Sequence, residues 1–431
     1  MHTSAKEAPG HNPGKPPRGK LSIDVLRLRD FRFLLFTRVF VSMALQAQAV
    51  IVGWQIYSLT KDPFMLGLTG LTEALPAIVC ALFAGHVVDV GRPHRVYLYC
   101  LGALFLNTSA LLLLGGGYVT LPGGHLLPLI FAGVFLSGVA RSFIMPSSFS
   151  LLARIVPRKD IAPASAWLSS GFQIAAISGP ALAGIVYGGY GPRGAWLLPA
   201  LLMLMAFGMA NLIRPPAHTR AGEKRLPALA NIREGWSFLL KHPVLLSMMT
   251  LDMFAVLFGG AVAMLPAYAD QVLHVGAEGL GALRAAPALG AIVMALILAL
   301  RPMKRLSTKR LMLAVCGFGL CMIGFGLSKI FALSMLFLMF SGMFDSVSMV
   351  MRGTLMQLLT PESMRGRLSA INSMFIISSN EIGAFESGTL ARFAGLVPSV
   401  VLGGIGTLVV VAIIATSSPK FRRTVVQTDG A

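Results

Sequence analysis

Nine acidic or basic side chains lie within the long apolar stretches of this chain, away from the ends of those stretches. A charged group in apolar surroundings is stable only when it is paired or faces water, so such residues indicate ion pairs, proton carriers or binding sites for charged ligands. Glu73, Asp252 and Asp345 are candidates for proton coupling, because a carboxyl group changes its charge when it gains or loses a proton. The nine are Arg38, Glu73, Arg141, Asp252, Arg284, Asp345, Arg352, Glu381 and Glu386.

Plainer interpretations of these residues stay open. Glu73 either carries a proton or has a structural role, as a hydrogen-bond partner or in an ion pair with Arg38. Arg141 either faces a cavity, where it would contact a ligand or attract Asp345 across the cavity, or it pairs with a neighbouring span. Arg352 we interpret as structural.

Helical geometry limits which polar residues can face a shared cavity. Glu381 and Glu386 lie about 140° apart around a helix, so one would face the cavity and the other a neighbouring helix or the outer end. Gln46 and Gln48 also point in different directions, so at most one of them lines a cavity. The predicted cavity-lining residues are Arg38, Gln46, Glu73, Arg141, Arg284, Asp345 and Glu381.

No residue pattern in the sequence indicates catalysis. There is no nucleophile–base pair, no metal-ligand spacing and no phosphate-binding glycine-rich loop, so we expect no enzyme activity, no metal and no other cofactor. The four cysteines lie in apolar runs, where we expect them to pack against other helices.

The elements that hold these residues are membrane-spanning helices. Hydrophobic residues make up 55% of the chain and charged residues 12%, whereas soluble domains carry about 25% charged residues. Stretches of about 20 apolar residues can cross a bilayer, and about twelve are present, which predicts an all-α membrane protein. We place them at 33–59, 65–88, 94–116, 126–153, 161–187, 193–213, 244–271, 279–301, 308–328, 331–357, 366–392 and 396–416.

The positions of the basic residues predict the orientation of the spans. The net charge is +19, and about 28 of the Lys and Arg residues lie in the tails and in alternate loops, against about four in the other loops. Both termini are therefore predicted to be cytoplasmic. The charge follows the topology, so we expect the lipid bilayer, and no nucleic acid, as a partner.

An internal repeat divides the chain into two halves. The segment that begins SGVARSF at Ser137 matches, without a gap, the segment that begins SGMFDSV at Ser341. Duplicated halves are typical of secondary transporters, whose substrate site lies where the halves meet. The predicted units are an N-terminal tail (1–30), a six-helix bundle (31–213), a linker (214–243), a second six-helix bundle (244–416) and a C-terminal tail (417–431).

Two loop motifs are predicted to form gates on the cytoplasmic side, one after the second span of the first half and one after the fourth span of the second half. The first is GHVVDVGRPHR, in which Gly85, Asp89, Arg92 and Arg95 would close the cytoplasmic side through helix contacts and ion pairs. The second is PESMRGR, in which Glu362, Arg365 and Arg367 would pair across the loop or with helix ends.

A third motif, SGPALAG, lies in the fifth span. Pro180 removes a backbone donor and bends the helix, while Gly179 and Gly184 allow close helix packing. With these three motifs the chain resembles the major facilitator superfamily from Leu28 to about Ser418. Within it, the chain is similar to the branch that contains enterobactin and macrolide exporters.

The resemblance implies the major facilitator fold, with twelve transmembrane helices in two pseudo-symmetric six-helix bundles. It also implies a secondary active exporter of the cell inner membrane that works by alternating access and exchanges a siderophore for protons. The alternative is a macrolide or multidrug:proton antiporter, and a non-transporting membrane receptor is a third hypothesis. We expect a small-molecule substrate, protons and lipid as partners of a monomer.

Overall fold

A computed structural model describes residues 23–90, 92–119, 125–214, 228–301 and 305–427 of the 431-residue chain. The predicted all-α fold of twelve spans in two six-helix bundles is confirmed. The helices are α1 (Arg29–Thr60), α2 (Pro63–Val90), α3 (Pro93–Gly115), α4 (Leu126–Ile155), α5 (Ile161–Asn211), α6 (Ala228–Lys241), α7 (Pro243–Phe258), α8 (Leu265–Gln271), α9 (Gly276–Leu300), α10 (Thr308–Leu327), α11 (Phe331–Leu359), α12 (Glu362–Ala394), α13 (Leu396–Ser417) and α14 (Pro419–Arg423).

Ten stretches of the described chain are long and apolar enough to cross a membrane. The stretch that contains α5 covers two of the predicted spans, and α12 is a further span that carries several charged residues. We name the two ends of the molecule after the predicted orientation. The inner end holds α6 and the connection from α4 to α5, and the outer end holds the connection from α1 to α2.

The fifth and sixth spans are two helical segments of α5 separated by a break at Gly191, which lies between the predicted spans 161–187 and 193–213. The predicted loop falls within α5, where Gly191 takes φ 66° and ψ −167° and is followed by Pro192. Glycine tolerates this backbone conformation, which side chains on other residues disfavour. A single residue therefore reverses the chain at the outer end.

The seventh span is interrupted. The prediction was one helix over 244–271, but α7 ends at Phe258 and a 3₁₀ turn, Gly260–Met264, separates it from α8. A Cβ atom on Gly260 would lie 2.7 Å from the Ser387 hydroxyl oxygen of α12. The break therefore lies where α12 comes too close for a side chain.

Two helix pairs, α2 with α12 and α5 with α9, form most of the interface between the bundles. Their closest approaches are at glycines near the outer end. A Cβ on Gly67 would lie 2.8 Å from the Ala384 carbonyl oxygen, and one on Gly184 would lie 2.8 Å from the Gly281 Cα. The geometry at Gly184 is the close packing that the sequence predicted for the third motif.

The buried apolar residues form three clusters whose arrangement shows which end is closed. One cluster at the outer end combines residues of both bundles, such as Ile51 of α1 and Leu283 of α9. The other two clusters lie toward the inner end, and each belongs to a single bundle. The bundles therefore share a core at the outer end and diverge toward the inner end, which is an inward-open arrangement.

Parts of the predicted tails and linker lie outside the described residues, namely 1–22, 215–227 and 428–431. The described part of the linker contains α6. After α14, strand β2 (Val425–Gln427) pairs antiparallel with strand β1 (Arg305–Ser307), which precedes α10. The Phe421 side chain is buried in the core of the second bundle, so this part of the C-terminal segment packs on the bundle.

Candidate functional site

An ion pair between α2 and α4 lies in the first bundle, near the interface. The Arg141 guanidinium pairs with the Glu73 carboxylate, and their side chains are 45% and 24% exposed. Gly138 lets α4 approach closely, because a Cβ there would lie 2.9 Å from Pro76 Cγ. The ion pair with Arg38, one of the alternatives left open for Glu73, is not formed, whereas the alternative that Arg141 pairs with a neighbouring span is observed. Arg38 is far closer to the inner end of α1 than Glu73 is to that end of α2, since each helical residue adds about 1.5 Å.

The second bundle adds one acid and one base to this pair. Glu381 of α12 lies over Gly70 of α2, since a Cβ on Gly70 would fall 2.9 Å from the Glu381 Oε2 atom. The Glu381 carboxylate interacts electrostatically with both Arg141 and Arg284. Glu73, Arg141, Glu381 and Arg284 therefore form a central cluster of two acids and two bases contributed by both bundles.

Arg38 lies on the same open surface, closer to the inner end. Its Nη1 atom donates to the Met145 Sδ atom at 2.9 Å. Arg141, Met145 and Phe149 are exposed and four residues apart on α4, so they share one helix face. Since Arg141 reaches the centre of the molecule, this face borders the space between the bundles. Within the described chain, Arg38 has no carboxylate partner.

The two glutamines of α1 have different surroundings, as the helical geometry predicts. Gln48 is buried, accepts from the Thr108 hydroxyl at 2.9 Å and donates to the Ser137 hydroxyl at 3.2 Å. Gln46 packs against α5, where a Cβ on Gly179 would lie 3.0 Å from the Gln46 Cβ. Gln48 therefore belongs to the internal network of the first bundle, and Gln46 to the packing between α1 and α5.

Asp252 and Asp345 lie apart from the central cluster, inside the second bundle. Asp252 pairs with Arg352, and these side chains are only 7% and 12% exposed. Asp345 has neither an ion pair nor a hydrogen bond among the described residues, so it does not pair with Arg141. Both acids border a small cavity between α7, α10 and α11. Its lining is Asp252, Ala255, Val256, Ala314, Val315, Phe318, Phe344, Asp345 and Ser348.

Glu386 also lies apart from the central cluster. Its Oε2 atom accepts a hydrogen bond from the neighbouring Ser387 hydroxyl at 3.4 Å. Glu381 is thus the one of the two α12 acids that reaches the central cluster, which agrees with the different helix faces expected for them.

Two ion pairs join the bundles at the outer end, and the sequence did not predict them. Lys61 Nζ lies 2.8 Å from Asp270 Oδ2 of α8. The next residue, Asp62, lies 3.7 Å from Arg392 Nη1 of α12. The sequence did contain a signal for them. The outer loops hold few basic residues, and Lys61 and Arg392 are two of those few. We call these two pairs the outer latch.

The predicted gate at the inner end is only partly described. The side chains of Gly85, Asp89, Glu362 and Arg365 lie outside the described residues, and Arg92 and Arg95 are exposed at the start of α3. Arg367 Nη1 lies 2.7 Å from Glu234 Oε1 of α6. A further contact joins the same helices, since the rings of Trp236 and Phe375 pack edge to face with centroids 5.5 Å apart. Arg367 therefore connects α12 to the linker helix.

Relatives of the chain share nearly its whole length. The enterobactin exporter EntS of Shigella flexneri is 25% identical over 410 residues, which cover 94% of this chain and 95% of that protein. The enterobactin exporter EntS of Citrobacter koseri is 24% identical, with the same shares of both chains covered.

Solved structures share the fold at lower identity. A POT family transporter in complex with 5-aminolevulinic acid is 13% identical, with a TM-score of 0.70, over 92% of this chain and 97% of that one. A bacterial homologue of the human lysosomal transporter Spinster, in an inward-facing and unoccupied conformation, is 13% identical with a TM-score of 0.69. The match covers 92% of this chain and 96% of that one. At these identities the likeness concerns the fold alone.

The family model of the Major Facilitator Superfamily matches residues 34–384, which include the three motifs and the central cluster. The fold and the clustered charges at the bundle interface agree with that match. The chain is a multi-pass membrane transporter that belongs to the major facilitator superfamily.

Proposed function

We propose that the protein is a secondary active exporter that moves a siderophore of the enterobactin type out of the cell by alternating access. The names of the relatives, matched over nearly the full chain, support the direction and the class of substrate. A cavity open at the inner end is where an exporter would collect its cargo.

The observation that carries the substrate class is the unpaired cation on the cavity wall. Arg38 has no carboxylate partner in the described chain, and it lies between the inner end and the central cluster. A catecholate ligand offers anionic oxygens and aromatic rings. Arg38 would bind it first, and Arg141 and Arg284 would hold it deeper in the cavity.

Proton antiport is the proposed source of energy. Glu73 is the carboxylate of the three candidates that lies in the central cluster, where its charge affects Arg141 directly. Protonation of Glu73 would free Arg141 for the substrate or for Glu381, so that proton and cargo would compete. Asp345 is a second candidate for proton coupling, and Asp252 a third, because both border the internal cavity.

The proposed setting is the inner membrane, with both termini cytoplasmic and the protein acting as a monomer. The distribution of basic residues supports this orientation. In it, α6 would lie along the cytoplasmic surface and the outer latch would close the opposite side.

A macrolide or multidrug:proton antiporter is the alternative that the central acids favour. Glu73 and Glu381 border the same open space as the arginines, and they would hold a cationic drug. The two functions require opposite charges on the cargo, which makes them separable by experiment.

Transport into proteoliposomes tests the proposal. Purified protein is reconstituted, a pH gradient is imposed, and the movement of radiolabelled enterobactin is followed with and without a protonophore. We expect movement that stops when the gradient collapses. Arg38→Ala should lower the rate at least tenfold, because the first anion contact is lost.

The cargo of the alternative is measured in the same vesicles. A macrolide that moves while the siderophore does not would establish the drug antiporter. Movement of neither under any gradient would favour a non-transporting receptor.

A further inference from the structure

The α2–α4 pair of the first bundle and the α9–α11 pair of the second pack in the same way, with contacts at corresponding positions along the helices. In each pair a glycine of one helix rests on a proline of the other. A Cβ on Gly138 would lie 2.9 Å from Pro76 Cγ, and one on Gly342 would lie 2.7 Å from Pro287 Cα. These contacts fix equivalent positions in the two copies.

This register places charges at equivalent positions, but with the signs exchanged. Glu73 stands three residues before the proline of its helix, and Arg284 stands three residues before the proline of the other copy. Arg141 follows its glycine by three residues, as does Asp345. The acid–base pair of the first bundle therefore corresponds to a base–acid pair in the second.

Only the first of these two pairs is formed in the inward-open structure. Glu73 and Arg141 are in contact. The charge of Arg284 interacts with Glu381, and the Arg284 Nε atom is buried without an acceptor in the described chain. Asp345 borders the internal cavity and has no ion pair or hydrogen bond among the described residues. Arg284 and Asp345 are thus the base and the acid of a pair that is not formed in this structure.

Among the described residues of this part of the second bundle, no other base is available to Asp345. Arg352 lies two turns further along the same helix and is already paired with Asp252. Away from the helix ends, the titratable groups on the neighbouring helices α7, α9 and α10 are Asp252, Arg284, Cys316 and Cys321. Arg284 is therefore the cation that the register assigns to Asp345.

We infer that Arg284 exchanges partners during alternating access. It interacts with Glu381 while the outer end is closed, and it pairs with Asp345 when the outer end is open. The inference rests on the proposed alternating-access function. A contact made in only one state favours that state. The electrostatic interaction of Arg284 with Glu381 is present in the outer-closed structure, so the contact with Asp345 is assigned to the state in which the bundles separate there. Asp345 is then a positioning residue that acts through Arg284.

Distance measurements between the bundles test this exchange without any transport assay. Spin labels are attached at Tyr190→Cys on α5 and Phe393→Cys on α12, two exposed positions at the outer end. Lys61→Ala is added as a background that raises the outer-open fraction, so that changes in either direction are visible. The native cysteines Cys80, Cys100, Cys316 and Cys321 are replaced by alanine.

The two carboxylates should act in opposite directions. Asp345→Asn should lower the ratio of outer-open to outer-closed molecules about tenfold, and Glu381→Gln should raise it by a similar factor, a change of about 1.4 kcal/mol in each case. Glu386→Gln is the matched control on α12, because Glu386 contacts no arginine among the described residues, and it should leave the ratio unchanged.

Arg284→Gln decides whether Asp345 acts through Arg284. In that background Asp345→Asn should have no further effect on the ratio. A shift that persists without Arg284, an absent shift, or shifts of both carboxylate variants in one direction would each overturn the exchange. Failure to transport a siderophore would leave these distances unaffected, so the two proposals fail separately.

Discussion

Two groups of buried charges in this transporter differ in how they are enclosed. The Asp252–Arg352 pair lies within one bundle and is almost completely buried, with one acid matched to one base. The central cluster lies between the bundles, is partly exposed, and shares its charges among several partners. A pair with one arrangement stabilises a scaffold. A cluster with several arrangements of similar energy can take up protons or cargo and rearrange as the bundles move.

The comparison predicts the largest loss of stability for the enclosed pair. Arg352→Met would leave the Asp252 carboxylate buried without compensation, which should destabilise the protein by about 3–5 kcal/mol. Thermal unfolding of purified protein in detergent measures the change. An unfolding temperature equal to that of the wild type would contradict the enclosed position of the pair.

The double variant Asp252→Leu with Arg352→Met separates a structural role from proton coupling. An apolar pair of similar volume is often tolerated where an ion pair was buried. We expect stability to recover and transport to continue at a comparable rate. A stable double variant that no longer responds to the pH gradient would instead make Asp252 a proton-coupling residue.

In the central cluster, a substitution should have a small effect on stability and a large effect on transport. Glu73→Gln should change stability by only about 0–1 kcal/mol, since partly exposed ion pairs contribute little. It should nevertheless reduce gradient-driven transport at least tenfold, because Arg141 loses its charge-switching partner. Parallel measurements of unfolding temperature and of vesicle transport test the two statements together.

Arg141→Gln is the matched partner variant of Glu73→Gln. It should reduce gradient-driven transport by the same factor as Glu73→Gln. The double variant should transport no more slowly than either single variant. Full activity of both single variants would remove the central cluster from the coupling mechanism.

The sequence was sufficient for most of the fold because hydropathy is a local property. About twelve spans follow from stretches of about 20 apolar residues. The interruption after Phe258 could not be predicted, because it depends on how closely α12 approaches Gly260. The division of α5 into a fifth and a sixth span was predictable, because Gly191 and Pro192 interrupt the helix between them.

The candidate site was predictable as a set of charges but not as a set of pairs. Glu73, Arg141 and Glu381 stand out because charged residues within spans are costly. Their partners depend on depth and on helix rotation, which is why the sequence left both Arg38 and a neighbouring span open as partners, whereas the structure pairs Glu73 with Arg141. The charge exchange between Glu73 and Arg284 is visible in the sequence once the prolines of the two helices are aligned, and the structure supplies that alignment.

The outer latch extends the comparison to an exposed set of charges and should give the smallest effect on stability. Lys61 and Asp270 are joined across the bundles at 2.8 Å but are reached by solvent, so Lys61→Ala should cost only about 0.2–1 kcal/mol. Its effect should appear as a modest rise in labelling of an outer-end cysteine by a membrane-impermeant maleimide. The exchanged pair, Lys61→Asp with Asp270→Lys, should restore the original rate, since it keeps the attraction between the bundles. Labelling that stays high in the exchanged pair would mean that Lys61 acts through its position in the loop rather than through its charge.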